Sequence, residues 1–110
     1  MPRDYKVQLE DMLEAARRIE EYVGSMTEKE FYSDTKTFDA VIRNLEVIGE
    51  AAKNIPREIK GRNLGIEWKK IAGLRDVLIH EYFGIDEEIV WDVVKNKIPD
   101  LIESLKKLIK

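Results

Sequence analysis

The chain has 110 residues, 44% of them hydrophobic and 37% charged, with a net charge of −3 and no cysteine. This length and balance suit one soluble globular domain, read as residues 1–110, with a single core. The lack of cysteine excludes a disulfide framework, a thiol nucleophile and a thiolate zinc site, and a lone histidine argues against a conventional zinc centre. No metal and no cofactor are expected.

Helical periodicity runs through nearly the whole chain. From about Asp4 to Val23, Leu9, Met12, Leu13, Ala16, Ile19 and Val23 recur at spacings of three and four, and Gly24 is placed to stop the helix. Thr27-Glu28-Lys29-Glu30 has the form of a capping box, predicting a short helical turn. A second long helix is expected to begin between Ser33 and Thr37. It would bury Phe38, Val41, Ile42, Leu45, Ile48, Ala52 and Ile55 and end at Pro56. Residues 56–66 read as a connector with one helical turn.

A third helix is predicted from Glu67 to Glu81, with Trp68, Ile71, Ala72, Leu78 and Ile79 inward. After Gly84, Asp86 serves as N-cap of a last helix that buries Ile89, Val90, Val93, Ile98, Leu101, Ile102, Leu105 and Leu108. Pro99 should kink or split it. There is no alternating strand pattern, no repeat and no low-complexity tract. The predicted fold is all-α, an antiparallel up-and-down four-helix bundle with a short extra helical turn. Tyr82, Phe83 and Trp91 are left over for an interface, and a homodimer is the natural expectation. No apolar run approaches the ~20 residues that span a bilayer, and MPRDYKVQ has no apolar signal core, so a cytoplasmic location without membrane contact is expected.

Charge is unevenly spread. Residues 1–52 sum to −5, residues 53–75 to +5 and residues 76–110 to −3. The basic block, which includes Lys69 and Lys70, ends at Arg75; it reads either as a local polyanion site or as a solvated lysine-rich loop. Directly after it comes RDVLIHEY, Arg75 to Tyr82, with the single histidine of the chain. Arginine supplies a permanent planar fork of donors matched to phosphate oxygens. Histidine can accept or donate a proton near neutrality, and tyrosine adds a hydroxyl and a stacking face. These groups suffice for metal-free RNA cleavage. His80 would activate the ribose 2′-hydroxyl, Arg75 would offset charge on the phosphate, and a second acid would protonate the leaving oxygen.

Helical geometry restricts this scheme. At 100° per residue Arg75 and Tyr82 are about 20° apart, whereas His80 lies about 140° round from Arg75. Asp76, four residues before His80, shares its face and could fix the imidazole tautomer. Either the helix ends near His80 or a partner protomer completes the site. Read from the residues alone, the segment also fits packing with polar edges, with His80 as a structural hydrogen-bonding group and Tyr82 as an interface aromatic. Glu46 and Glu50, an i,i+4 pair, read as solvated charge or partners of Arg43 rather than metal ligands.

Arg75-x4-His80-x-Tyr82, with its flanks RNLEVIGEAAKNIP (Arg43 to Pro56) and WKKIAGLRD, resembles the R-x4-H-x-Y signature of HepT-like toxins in the HEPN superfamily. The likeness covers nearly the whole chain. It implies a helical bundle that dimerises so that two motifs face one cleft. It further implies a metal-independent endoribonuclease of a type II toxin–antitoxin pair, with Arg75 and His80 catalytic and Asp76 in support. The partner implied is a minimal nucleotidyltransferase antitoxin that transfers AMP to Tyr82, beside RNA as substrate; Lys69 and Lys70 of the basic block are the candidate RNA contacts. The alternative is a non-catalytic helical partner of such a nucleotidyltransferase, whose cleft holds nucleotide or protein. A plain structural bundle is the third reading.

Overall fold

A computed structural model describes residues 5–63, 65–80 and 86–109. Its elements are α1 (Tyr5–Val23), α2 (Glu28–Ser33), α3 (Thr35–Lys53), α4 (Arg57–Arg62), α5 (Trp68–His80), α6 (Glu87–Asp92) and α7 (Ile98–Ile109), with a π-helical segment (Val93–Lys97) between the last two. Among the described residues there is no strand, and no helix is long and apolar enough to cross a membrane.

Local chemistry sets most boundaries. α1 stops at Gly24, whose φ of +52° is the left-handed conformation that glycine adopts without strain. The Gly24 N–H donates to the Glu20 carbonyl oxygen at 2.8 Å. Before α2 the capping box is complete: Glu30 N–H donates to Thr27 Oγ1 at 3.2 Å and Thr27 N–H to Glu30 Oε1 at 2.9 Å. Asp34 closes α2 and opens α3 by accepting from Thr37 N–H at 3.1 Å, a bond that holds its carboxyl below the usual range. Asp86 caps α6 through Glu88 N–H at 2.9 Å.

Packing then joins the helices. α1 lies between α3 and α7, and α5 leans on α3. Met12, Ala16, Ile19, Val41, Ala52 and Leu105 are fully buried where these helices meet. A second knot is aromatic. Phe31, fully buried, has the rings of Tyr32, Phe38 and Trp91 around it at 5.4, 5.5 and 5.5 Å. The Tyr32 hydroxyl donates to the Glu87 carbonyl oxygen, tying α2 to α6. Burial, reinforced by the charges of Glu28, Glu87 and Glu88, pushes this phenol up to about 12.

Several expectations need correction. α3 ends at Lys53, so Ile55, expected on its face, is buried from the connector instead. Ile79 and Ile89, expected inward, are 41% and 54% exposed. Among the described residues α5 packs chiefly against α3, and Ile89 sits on the rim of a cleft of about 400 Å³ between α5 and the C-terminal helices. Pro99 lies inside the first turn of α7, and the irregularity precedes it. Ile98 N–H donates to the Val93 carbonyl oxygen, five residues back, because a chain approaching a residue without N–H accommodates a wider turn. That extra residue shifts the apolar face, so Val94 is the more deeply buried while Val93 stays partly buried against the core. Expectations on Glu81, Tyr82, Phe83 and Gly84 lie outside the described residues.

Candidate active site

α5 divides two clefts. On one side Ile71 and Leu74 face the apolar cleft, together with Leu45 and Ile48 of α3. On the other, Arg75 and Ile79 border a groove of about 360 Å³ shared with α1 and α3. Its remaining walls carry Gln8, Asp11, Arg43, Glu46, Val47, Glu50, Ala51 and Asn54. The groove is lined mostly by charged and amide side chains, with Val47, Ala51 and Ile79 supplying apolar surface among them.

Arg75 is held there by two carboxylates. Its side chain is 25% exposed, with Nη2 3.0 Å from Glu50 Oε2 and Nη1 3.3 Å from Asp76 Oδ1. Arg75 Nε is buried and has no hydrogen-bond partner among the described residues. Asp76 Oδ1 also accepts from Lys53 Nζ at 3.1 Å. This hydrogen bond from Lys53, with the Lys53 charge and the Arg75 guanidinium behind it, holds the Asp76 carboxyl below the usual range. The result is a chain of alternating charges, Glu50–Arg75–Asp76–Lys53, that stitches α3 to α5 along the groove.

His80 stands at the other end of the motif. It is exposed in the last described turn of α5, and no hydrogen bond joins it to Arg75 or Asp76 among the described residues. A single chain thus brings Asp76 to Arg75 and Lys53, and leaves the imidazole apart, in keeping with the 140° between the two motif heads. Tyr82 lies outside the described residues. Lys69 is exposed, and Lys70 pairs with Glu67 at 2.7 Å on the rim of the apolar cleft, away from the groove. The hydrogen bond to Glu67 raises the Lys70 ammonium and lowers the Glu67 carboxyl.

Glu50, read from the sequence with Glu46 as solvated charge or a partner of Arg43, takes a different partner in the groove. Glu46 alone pairs with Arg43, at 3.7 Å, whereas Glu50 turns to Arg75. The sequence placed it in the flank IGEAAKNIP, four residues after Glu46, but gave no sign of its contact with Arg75. Among the described residues no group of three or more His, Asp or Glu side chains is gathered as a metal site.

Comparison with known proteins bears on this site. Residues 12–108 match the family described as Ribonuclease HepT-like. The chain is 48% identical over 111 residues to a "Putative RNase" of Methanocaldococcus jannaschii, covering all of this chain and 92% of that one. It is 46% identical to a "Probable ribonuclease HepT" of Thermococcus cleftensis, over 98% of each. A longer M. jannaschii protein, "Gamma-glutamylcyclotransferase and putative RNase", is 44% identical over 98% of this chain and 49% of its own. No solved structure matches. The chain belongs to the HepT-like ribonuclease family.

Proposed function

We propose that this protein is a metal-independent endoribonuclease that cuts RNA through the ribose 2′-hydroxyl and leaves a 2′,3′-cyclic phosphate. The observation that carries the reading is the Arg75 guanidinium at the edge of a polar groove, with the exposed His80 imidazole on the same helix. His80 takes the 2′-hydroxyl proton as the 2′-oxygen attacks phosphorus. The P–O5′ bond breaks, and the leaving oxygen takes a proton from a second acid. Arg75 offsets the charge that builds on the non-bridging oxygens, a contribution of roughly 10²–10³ in rate for a well-aimed donor.

The separation of the two heads within one chain supports an assembly of two copies, each an antiparallel four-helix bundle, facing one cleft. There the imidazole of one copy reaches the phosphate gripped by the other. Asp76 supports Arg75 by keeping Nη1 engaged, and Lys69 and Lys70 contact RNA phosphates. In a cytoplasmic type II toxin–antitoxin pair, a minimal nucleotidyltransferase would silence the enzyme. The Tyr82 oxygen would attack the α-phosphorus of ATP, pyrophosphate would leave, and the phenolic proton would be released. The phosphodiester anion added there would compete with RNA for the motif cations.

The test is cleavage of RNA by the purified protein in EDTA, with the 3′ ends analysed. Cyclic phosphate ends are expected, and His80→Ala should lower the rate by about 10²–10⁴. Undiminished cutting by His80→Ala would overturn the chemistry. If AMP-free protein leaves RNA intact yet co-purifies with its nucleotidyltransferase, the non-catalytic partner reading takes its place.

A further inference from the structure

Gly49 lies where α3 crosses α5, and the space its side chain would fill is already taken by the root of Arg75. A Cβ built on Gly49 would stand 2.1 Å from Arg75 Cβ, 2.8 Å from Arg75 Cγ and 3.2 Å from the Ile71 carbonyl oxygen. None of these obstacles is the loose end of a side chain, so they cannot swing aside. Any larger residue must push α5 outward, because close-packed interiors transmit such displacements rather than absorb them. The next residue, Glu50, reaches the other end of the same arginine, with Oε2 3.0 Å from Nη2.

We infer that Gly49 and Glu50 are positioning residues that set the depth and the plane of the Arg75 guanidinium for a phosphodiester. Gly49 lets the stem lie against α3, and Glu50 holds the head. Asp76, tethered to Lys53 of α3, holds the second terminal nitrogen. Each terminal nitrogen of arginine carries two N–H groups, so one on each stays available for a phosphate oxygen. A carboxylate beside a phosphate site opposes RNA binding through charge. Glu50 is therefore useful for alignment rather than for affinity, and a misplacement of ~1 Å can cost up to 10²-fold in rate. This deepens the ribonuclease reading and rests on it for the catalytic consequence, whereas the ordering of the guanidinium is measurable without RNA.

The experiment combines kinetics with NMR of ¹⁵N-arginine-labelled protein, the Arg75 signal being assigned from Arg75→Lys. In the wild type the buried Arg75 Nε–H is expected to be shifted from the bulk arginine position and slow to exchange. Glu50→Ala, at a side chain 55% exposed, should keep the thermal midpoint while moving that signal to the bulk position. Its kcat should fall roughly tenfold or more, with KM unchanged or lower. Glu50→Gln, which keeps an acceptor but loses the charge, should fall between. Gly49→Ala should lose the same signal together with stability. A wild-type signal and wild-type kcat in Glu50→Ala would overturn the inference, whether or not Gly49→Ala folds. If the wild type cuts no RNA, the ribonuclease reading fails, and the NMR signal alone decides whether Glu50 orders Arg75.

Discussion

α1 and α5 show two ways of holding a helix. α1 buries seven of its nineteen residues, Gln8, Leu9, Met12, Ala15, Ala16, Ile19 and Val23, because α3 and α7 grip it from two sides. α5 buries only Trp68 and Leu78 of its thirteen and rests chiefly on α3. Of these two helices, the one that carries Arg75 and His80 is thus the less secured by apolar burial. The proposed ribonuclease chemistry would account for the contrast, since groups that meet a polyanion cannot lie in a dry core. What replaces burial on α5 is directional: the close contact at Gly49, the Glu50–Arg75 pair and the Lys53–Asp76 hydrogen bond. Elements held in this way belong to the less stable end of a fold, where local opening is easiest.

Substitutions can break or sharpen this contrast. The largest stability loss is expected from Phe31→Ala, which empties the centre of the aromatic knot and should cost about 3–5 kcal/mol in denaturant unfolding. Leu78→Ala, at the best-buried position of α5, should fall in the lower part of the roughly 2–5 kcal/mol range for such truncations. Equal losses at the two sites would mean that α5 is as firmly built into the core as α2. Thr27→Ala should cost about 1 kcal/mol by removing one half of the capping box. At the small end, His80→Ala should leave stability within about 0.5 kcal/mol, since the imidazole is exposed. A loss well above that would reveal a structural role for the histidine.

Alkaline titration probes the α2–α6 tie from another direction. The Tyr32 phenol is raised to about 12, so the folded protein retains its proton more tightly than the unfolded chain does. The associated stability is complete below the unfolded value of about 10 and declines as pH rises toward about 12. Tyr32→Phe should flatten that decline, as measured by thermal midpoints across the range. An unchanged slope would show that the hydroxyl contributes nothing at high pH.

Much of the fold and part of the site were legible in the sequence. The stripe of α1, the stop at Gly24, the Thr27 capping box, the Asp86 cap and a disturbance near Pro99 all appear where spacing placed them. The angle between Arg75 and His80 was also readable, because residues of one helix keep a fixed rotation about its axis. Less legible was the path of the last helix. Proline announces a break, but whether the chain kinks or widens depends on which carbonyl the N–H before it finds, and here the choice turned Val94 more deeply inward than Val93.

Sequence by itself determined the helical segments, their caps and the chemical kit at Arg75, Asp76 and His80, since these depend on interactions within about four residues. Only the tertiary structure decided that Glu50 leaves the company of Arg43 for Arg75, that Gly49 admits the arginine stem, and that Ile79 faces outward. Those outcomes follow from where two helix axes cross and which flank stays uncovered, and a crossing is set by the whole packed surface rather than by any one stretch of chain.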